Sequence, residues 1–400
     1  METIPINDKV AWVGVNDRDT ALFEKIWPLP RGVSYNSYLI RDRKTALIDT
    51  VKKFYLPAYL DKLAALLGDV RKLDYLVVNH MEPDHSGSVK VLHDLCPDLR
   101  IVGNKKTAAY LKDLYGICDR VLTIADGGEL DLGGRKLSFF FIPMVHWPES
   151  MVTYDAADRI LFSNDAFGGF GTLDGGLFDD EVDIEHFEDE ILRYFSNIVG
   201  RYAPMVQKAI ARLKGLDIRV IAPSHGPVWR HDPGKIVQMY DKWSRYEAEP
   251  GVVIAYASMY GNTETMMEAV ARGLALERCS TVRIHDLSTS HISYVIRDAW
   301  KYRALVLGSP THDTQLFPPM DLLVRILANK KLGKRIVGVF GTRGWTGGAV
   351  AALTQFAKND GLELVEPIVE ATLSPKGCDL ENCVLLGRNI AKRLRTDPPG

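Results

Sequence analysis

Two rhythms of apolar positions run along this chain and change over near residue 250. In the first part, short apolar runs end abruptly on polar residues: TALIDT (45–50), LDYLVVNH (73–80), LSFFFIPMVH (137–146), RILFSND (159–165) and IRVIAPSH (218–225). Each is about strand length and rich in Val, Ile, Leu and Phe, the pattern of a strand buried on both faces. Four of these ends supply His80, His146, Asp165 and His225, and 145 positions separate the first from the last. A sheet stacking its strand termini side by side would gather them, the usual site geometry of α/β folds.

After the charged segment KWSRYEAEPG (242–251), the pattern becomes a regular alternation of strand, polar loop and amphipathic helix. It recurs over 252–275, 303–327 and 335–359. That alternation predicts a doubly wound parallel sheet. The change of pattern places a linker in the charged segment, dividing residues 1–249 from 250–400.

Composition narrows the class. Four hundred residues with 46% hydrophobic and 25% charged content suit a globular protein of two or three domains. A net charge of -2 without a concentrated Lys/Arg run gives no reason to expect nucleic acid or an anionic membrane as partner, so small molecules or a protein are expected. The amino terminus has no basic segment followed by an apolar core, and no stretch reaches the apolar length of a membrane-spanning helix; a soluble, cytoplasmic protein is expected. Five cysteines at irregular spacing, with Cys378 and Cys383 too far apart for C-x-x-C, read as reduced thiols.

The densest chemistry lies in VVNHMEPDHSG (77–87), where His80, Glu82, Asp84 and His85 share a loop after a strand. Alternate side chains can turn toward one point while the adjacent Asp84 and His85 reach a second, which leaves room for two metals. A lone loop histidine is more simply a surface residue satisfied by backbone groups. Four potential ligands in six positions, joined by three more at other strand ends, point instead to a metal centre. Imidazole suits iron, zinc and copper alike, but several carboxylates without a thiolate suit harder, redox-active ions, and Asp165 could bridge two cations. Iron is the expected metal. The competing reading is a zinc hydrolase activating a bound water, whose pattern is His-x-His-x-Asp-His, with histidine where this chain has Glu82.

The second constellation is ASMYGNTET (257–265), between an apolar strand and a helix. Backbone N–H groups of Tyr260 to Thr263 can point at an anion, Ser258, Asn262 and Thr263 can add side-chain hydrogen bonds, and Gly261 permits close approach. From this loop alone, a phosphate site and an ordinary strand–helix turn capped by Thr stand level. Two further loops, GSPTHDTQLFP (308–318) and GTRGWTGGA (341–349), offer exposed amides and small residues, with Trp345 in the second, and could grip a flat heteroaromatic ring. Trp345 could equally cover the domain edge. No G-x-G-x-x-G follows a strand, so FAD or NAD is not implied.

The H-x-E-x-D-H run at positions 80–85 resembles, position for position, the flavodiiron protein family's version of the metallo-β-lactamase motif. The likeness continues in MVHWPESM around His146, FSNDAFG around Asp165 and PSHGPVWR around His225, and covers nearly the whole chain. It implies a metallo-β-lactamase-like αβ/βα sandwich carrying a diiron centre, followed by a flavodoxin-like domain carrying FMN. Carried over by motif, one iron takes His80, Glu82 and His146, the other takes Asp84, His85 and His225, and Asp165 bridges them. Ser258, Met259, Tyr260, Gly261, Asn262 and Thr263 resemble the flavodoxin phosphate loop, with Tyr260 in place of a threonine. Ser309, Pro310, Thr311, His312, Asp313 and Thr314, together with Gly341, Thr342, Arg343, Gly344, Trp345, Thr346 and Gly347, resemble the loops flanking the flavin ring. Tyr194 resembles an aromatic position near the family's diiron pocket, and core packing explains it as well. His93, His186, His231, His285 and His291 lack convergent partners and are expected in surface or capping roles.

The resemblance implies four-electron reduction of O2 to water, or two-electron reduction of two NO to N2O, in proportions that vary among members. Two ferrous ions and one FMN hydroquinone would hold the four electrons O2 requires. It further implies a head-to-tail homodimer or dimer of dimers. No four-cysteine rubredoxin-like module and no flavin reductase insertion is recognisable, so a separate rubredoxin, or a reduced deazaflavin, is the expected donor. A plain electron carrier would need only the second half and would leave seven potential ligands unexplained.

Overall fold

The structure, a computed structural model, describes residues 2–396. The chain forms two compact units that divide between Asp241 and Lys242, within the helix Pro233–Ser244. The change of sequence pattern at 250 lies a little further on, where the strand Glu249–Tyr256 begins.

The first unit contains a seven-stranded and a five-stranded sheet. The larger runs, in spatial order, Ile4–Pro5, Val10–Trp12, Tyr38–Arg41, Thr45–Ile48, Tyr75–Val77, Arg100–Gly103 and Val121–Thr123. The smaller runs Glu129–Asp131, Lys136–Phe141, Met151–Asp155, Ile160–Asn164 and Val220–Pro223. Side chains at period two, including Tyr38, Ile40, Ile48 and Val77 from one sheet and Leu137, Phe139, Ile160 and Phe162 from the other, join in one core. Alternate residues such as Leu39, Leu47, Leu76 and Ile101 are buried on the opposite face. Helices such as Leu56–Leu67, which buries Tyr59 and Leu63, and Lys105–Tyr115, which buries Thr107 and Leu111, complete the αβ/βα sandwich.

Two expectations need correcting. Burial on both faces holds for Tyr75–Val77 and Ile160–Asn164, but Lys136–Phe141 alternates, with Ser138 and Phe140 only half-buried. It sits in an antiparallel meander, and the Arg212 guanidinium lies 5.7 Å from the Phe140 ring on its outer side. Nor do the polar strand ends line up along one sheet: His80 follows a strand of the larger sheet, whereas His146, Asp165 and His225 follow strands of the smaller one.

The second unit is a parallel sheet in the order Val282–Asp286, Glu249–Tyr256, Tyr302–His312, Ile336–Arg343, with Glu363–Leu364 and Val369–Thr372 along the last edge. This is the 2-1-3-4-5 order of flavodoxin-like folds. Asn262–Leu276 and Gly377–Thr396 pack together on one face at glycine contacts: a Cβ on Gly387 would lie 2.1 Å from the Val270 carbonyl oxygen. Among the described residues no helix is long and apolar enough to cross a membrane.

Candidate functional site

Backbone features aim the polar side chains of the first unit. Beyond Val77 the chain leaves the strand, passes irregularly to Glu82 and then makes one helical turn, Pro83–Ser86, with Pro83 at the first position where its missing N–H costs nothing. The Glu82 carbonyl accepts from the amides of His85 (3.0 Å) and Ser86 (2.9 Å), and Thr50 holds the His85 carbonyl from both its amide (2.8 Å) and its hydroxyl (2.5 Å). Asp84 and His85 therefore leave a rigid turn. Asp165 follows immediately on the strand Ile160–Asn164, His225 stands two residues beyond Val220–Pro223, and His146 comes from the connection between Phe141 and Met151.

All seven candidate ligands converge, in two groups: His80, Glu82, His146 and Asp165 in one, Asp84, His85 and His225 in the other. Asp165 stands between them. Its Oδ2 is 3.3 Å from His80 Nε2 and 3.1 Å from His146 Nε2, while its Oδ1 is 2.8 Å from His85 Nε2 and 3.4 Å from His225 Nε2. Glu82 Oε2 completes the first group at 3.3 Å from His80 Nε2 and 3.0 Å from His146 Nε2. Asp84 Oδ2 completes the second at 3.4 Å from His85 Nε2 and 3.3 Å from His225 Nε2.

The electrostatics are those of a buried mixed cluster. Burial alone would raise the carboxyl pKa values, but the surrounding imidazoles hold Asp165 and Glu82 well below the usual carboxylate range. Burial alone would lower the histidines, but the carboxylates raise His146 to about 9 and His225 to about 10, and His80 well above its ordinary value. Both oxygens of Asp84 and Asp165, both ring nitrogens of His85 and Nε2 of His225 are buried without a partner of hydrogen-bonding geometry. So many orphaned polar atoms aimed at common points would be costly as a purely structural feature. Cations would satisfy them and displace the protons. Oxygen and imidazole donors without sulfur fit a pair of irons.

The set is nearly sealed. His80, His85, Asp165 and His225 have fully buried side chains, and only Glu82, Asp84 and His146 retain a little exposure. A cavity of about 250 Å³ reaches Glu82 and Asp84 between Phe23, Glu24, Tyr35 and Lys52. Sequence reasoning missed these four wall residues, which carry no local motif. It also missed Glu149, whose Oε1 lies 2.8 Å from His80 Nδ1. A signal was available there: an acid three residues after a candidate ligand, within the quoted MVHWPESM. Tyr194 is fully buried, its ring 5.5 Å from that of His225 and its hydroxyl without a partner, beside the cluster rather than in it. Of the other histidines, His291 caps the helix Ile292–Lys301, His93 meets Arg120, His285 meets Asp298, and neither these nor His186 and His231 join the cluster.

In the second unit, the helix Asn262–Leu276 starts from Gly261 at φ 88 without a side-chain cap. The Ser258 hydroxyl accepts from the Gly261 amide at 3.1 Å, and Thr263, instead of capping, hydrogen-bonds Thr342 of the third loop at 3.0 Å. The Glu264 amide also donates to the Ser258 hydroxyl, at 3.4 Å, and the Asn262 and Thr263 amides are left for an anion, which suits the phosphate of FMN. Met259 and Asn262 lie beside it, and Tyr260 is 91% exposed. The second loop differs from expectation: Ser309, Pro310, Thr311 and His312 continue the strand, which turns back at Asp313 and Thr314, both at positive φ, and pairs Thr311 with Leu316. In the third, Gly341, Thr342 and Arg343 also belong to a strand, so the loop proper begins at Gly344 and carries Trp345, 91% exposed, with Thr346 and Gly347. Strand pairing extends into these segments because the sheet neighbours Gly308–Pro310 and Phe340–Thr342 stay in register.

Comparisons with known proteins agree with both halves. Residues 33–226 match the ODP family beta lactamase model and residues 254–387 the flavodoxin model. The chain is 37% identical over 398 residues to the nitric oxide reductase of Moorella thermoacetica, covering 98% of this chain and 99% of that one. Rubredoxin oxygen:oxidoreductase from the anaerobe Desulfovibrio gigas superposes with a TM-score of 0.95 at 30% identity, over 99% of both chains. The chain belongs to the flavodiiron protein family. The flavodiiron protein from Giardia intestinalis superposes with a TM-score of 0.93 at 29% identity, over 99% of this chain and 97% of that one. The anaerobic nitric oxide reductase flavorubredoxin of Shigella dysenteriae is 33% identical over 99% of this chain and 83% of its own length. This flavodiiron protein is accordingly an oxidoreductase of that type, with a metallo-β-lactamase-like unit followed by a flavodoxin-like one.

Proposed function

We propose that this flavodiiron protein reduces O2 to water at two non-haem irons, one held by His80, Glu82 and His146, the other by Asp84, His85 and His225, with Asp165 between them. The observation that carries this reading is Asp165, whose two oxygens face two separate imidazole groups within a buried cluster. When bound, the iron pair offers reversible electron storage and a place for a small diatomic gas, and FMN offers single electrons drawn from an external donor such as rubredoxin. The chain's own part is to fix geometry. The turn at Pro83–Ser86 and the strand ends preset the ligands, and the cavity gives small molecules access to Glu82 and Asp84 while His80, His85, Asp165 and His225 stay buried.

FMN would sit on the phosphate loop Ser258–Thr263 and between Ser309–Thr314 and Gly341–Gly347. Exposed apolar residues support a head-to-tail dimer: Leu22 at the cavity and Ile26 in the same hairpin on one unit, Met259, Tyr260 and Trp345 on the other. Burying such residues is what an interface does.

Reduction of NO to N2O is the second reading, favoured by relatives at 37% and 33% identity that are named nitric oxide reductases. Iron-replete, FMN-loaded protein kept reduced by a rubredoxin system, with electrodes following each gas in separate runs, decides between them. Faster O2 loss without accumulating peroxide is the expected result. Faster NO loss with N2O appearing would favour the second reading, and loss of neither gas would return the zinc hydrolase. Glu82→His in the same assay should abolish gas reduction, and unchanged turnover would remove Glu82 from the ligand set.

A further inference from the structure

The two proposed metal positions differ in what stands behind their imidazoles. Behind His80 is Glu149: its Oε1 lies 2.8 Å from His80 Nδ1 and also accepts the Met81 amide at 2.9 Å. Glu149 is itself only 1% exposed and forms no ion pair with lysine or arginine among the described residues. Its backbone is pinned as well, since its carbonyl accepts from Asn104 Nδ2 at 2.6 Å, and Asn104 Oδ1 caps the helix Lys105–Tyr115 through the amides of Lys106 and Thr107. At the second position no carboxylate hydrogen-bonds a ring Nδ1, although the buried Asp49 carboxylate interacts with His85 through its charge. His225 Nδ1 donates to the neutral Ser34 carbonyl at 2.7 Å, and His85 Nδ1 has no hydrogen-bond partner.

We infer that Glu149 is a positioning residue that makes the two metal positions unequal, anchoring His80 so that the first position fills first and releases last. The inference rests on the ligand assignment proposed above. A buried carboxylate without a basic partner is costly unless the group facing it carries positive charge. A cation on His80 Nε2 supplies that charge through the ring. In return the carboxylate keeps the proton on Nδ1 and aims the Nε2 lone pair at the point shared by Glu82, His146 and Asp165. A charge-assisted hydrogen bond is shorter and stronger than one to a neutral carbonyl, and it makes the imidazole a better donor to the metal. His85 has the Asp49 charge nearby but no hydrogen bond at Nδ1 to fix its ring, so the second position is the exchangeable one.

The test is anaerobic equilibrium dialysis of the full-length, FMN-loaded chain against Fe2+ at stepped concentrations, with bound iron per chain measured for wild type, Glu149→Ala and Glu149→Gln. Wild type should fill in two steps. Glu149→Ala should weaken the tighter step about 10- to 100-fold, the range for loss of a carboxylate behind a ligating histidine, and leave the weaker step in place. Glu149→Gln, which keeps an oxygen acceptor of the same reach, should recover part of that loss. A general folding defect would move both steps and lower FMN retention, so equal shifts in both steps would overturn the inference. An unmoved tighter step in the alanine variant would do the same while leaving the ligand assignment intact. Failure of wild-type protein to bind iron at all would remove both.

Discussion

The two candidate cofactor sites are built in opposite ways. The metal centre is made of side chains brought from positions 80 to 225, nearly all buried and held by the rims of two sheets. The flavin loops are made largely of backbone, each contiguous in sequence, at the carboxyl ends of parallel strands, and they leave Tyr260 and Trp345 almost fully exposed. A site of buried charges must have its fold complete before it exists, and without its ions it holds orphaned polar atoms. A site of backbone amides asks only for a local turn, and water can satisfy it when empty. The first should therefore be vulnerable to any change of charge, the second to changes of backbone freedom.

The largest effect expected from that contrast is at Asp165. Asp165→Ala removes the carboxylate that, alone among the described residues, faces both imidazole groups, so both metal positions should weaken by more than about 100-fold, beyond the usual cost of losing an outer-sphere partner. FMN content, read from flavin absorbance of the same sample, should not change. Loss of both cofactors together would break the contrast.

Gly261→Val is the reciprocal change. Gly261 lies at φ 88, a region that costs a β-branched residue about 1–3 kcal/mol, and the substituted residue stands at the start of the phosphate loop helix. FMN affinity should fall by roughly 10-fold or more, since about 1.4 kcal/mol is a factor of ten. Iron per chain should stay as in wild type.

The smallest effect is on stability near the cavity. Burial alone would raise Asp17, but hydrogen bonds from Thr20 and Tyr55 and the nearby Lys52 ammonium hold its pKa at about 2, below the ordinary 3.8. Because its folded value is depressed, its contribution is complete above the ordinary value and is lost as pH falls through about 2. Asp17→Asn should destabilise the protein by about 1–2 kcal/mol near neutral pH, and the gap should close on acidification through that window. Urea denaturation at several pH values measures it, and a gap independent of pH would mean the Asp17 charge contributes nothing.

What could be read in the sequence follows the same division. The run from His80 to His85 and the turn Ser258–Thr263 were visible because their donors are neighbours in the chain, and the alternation after residue 250 predicted the parallel sheet because each strand and helix carries its own periodicity. The second flavin loop was less legible: whether Ser309–His312 continues a strand depends on the register with residues 340–342 and on a turn at Asp313 and Thr314, which no local preference announces. Glu149 was not singled out, since its partner His80 is 69 positions away.

The sequence by itself therefore determined the kinds of atoms at each site and the period of each element, because ligand chemistry and hydrophobic spacing are properties of neighbouring residues. Only the tertiary structure decided that His80 leaves one sheet while His146, Asp165 and His225 leave another, and that Asp165 turns one oxygen to each group. It also set a carboxylate behind His80 and a carbonyl behind His225, and left His85 Nδ1 without a hydrogen-bond partner. Those are distances between segments far apart in the chain, fixed by the packing of two sheets on one core, and no pattern within a single segment encodes them.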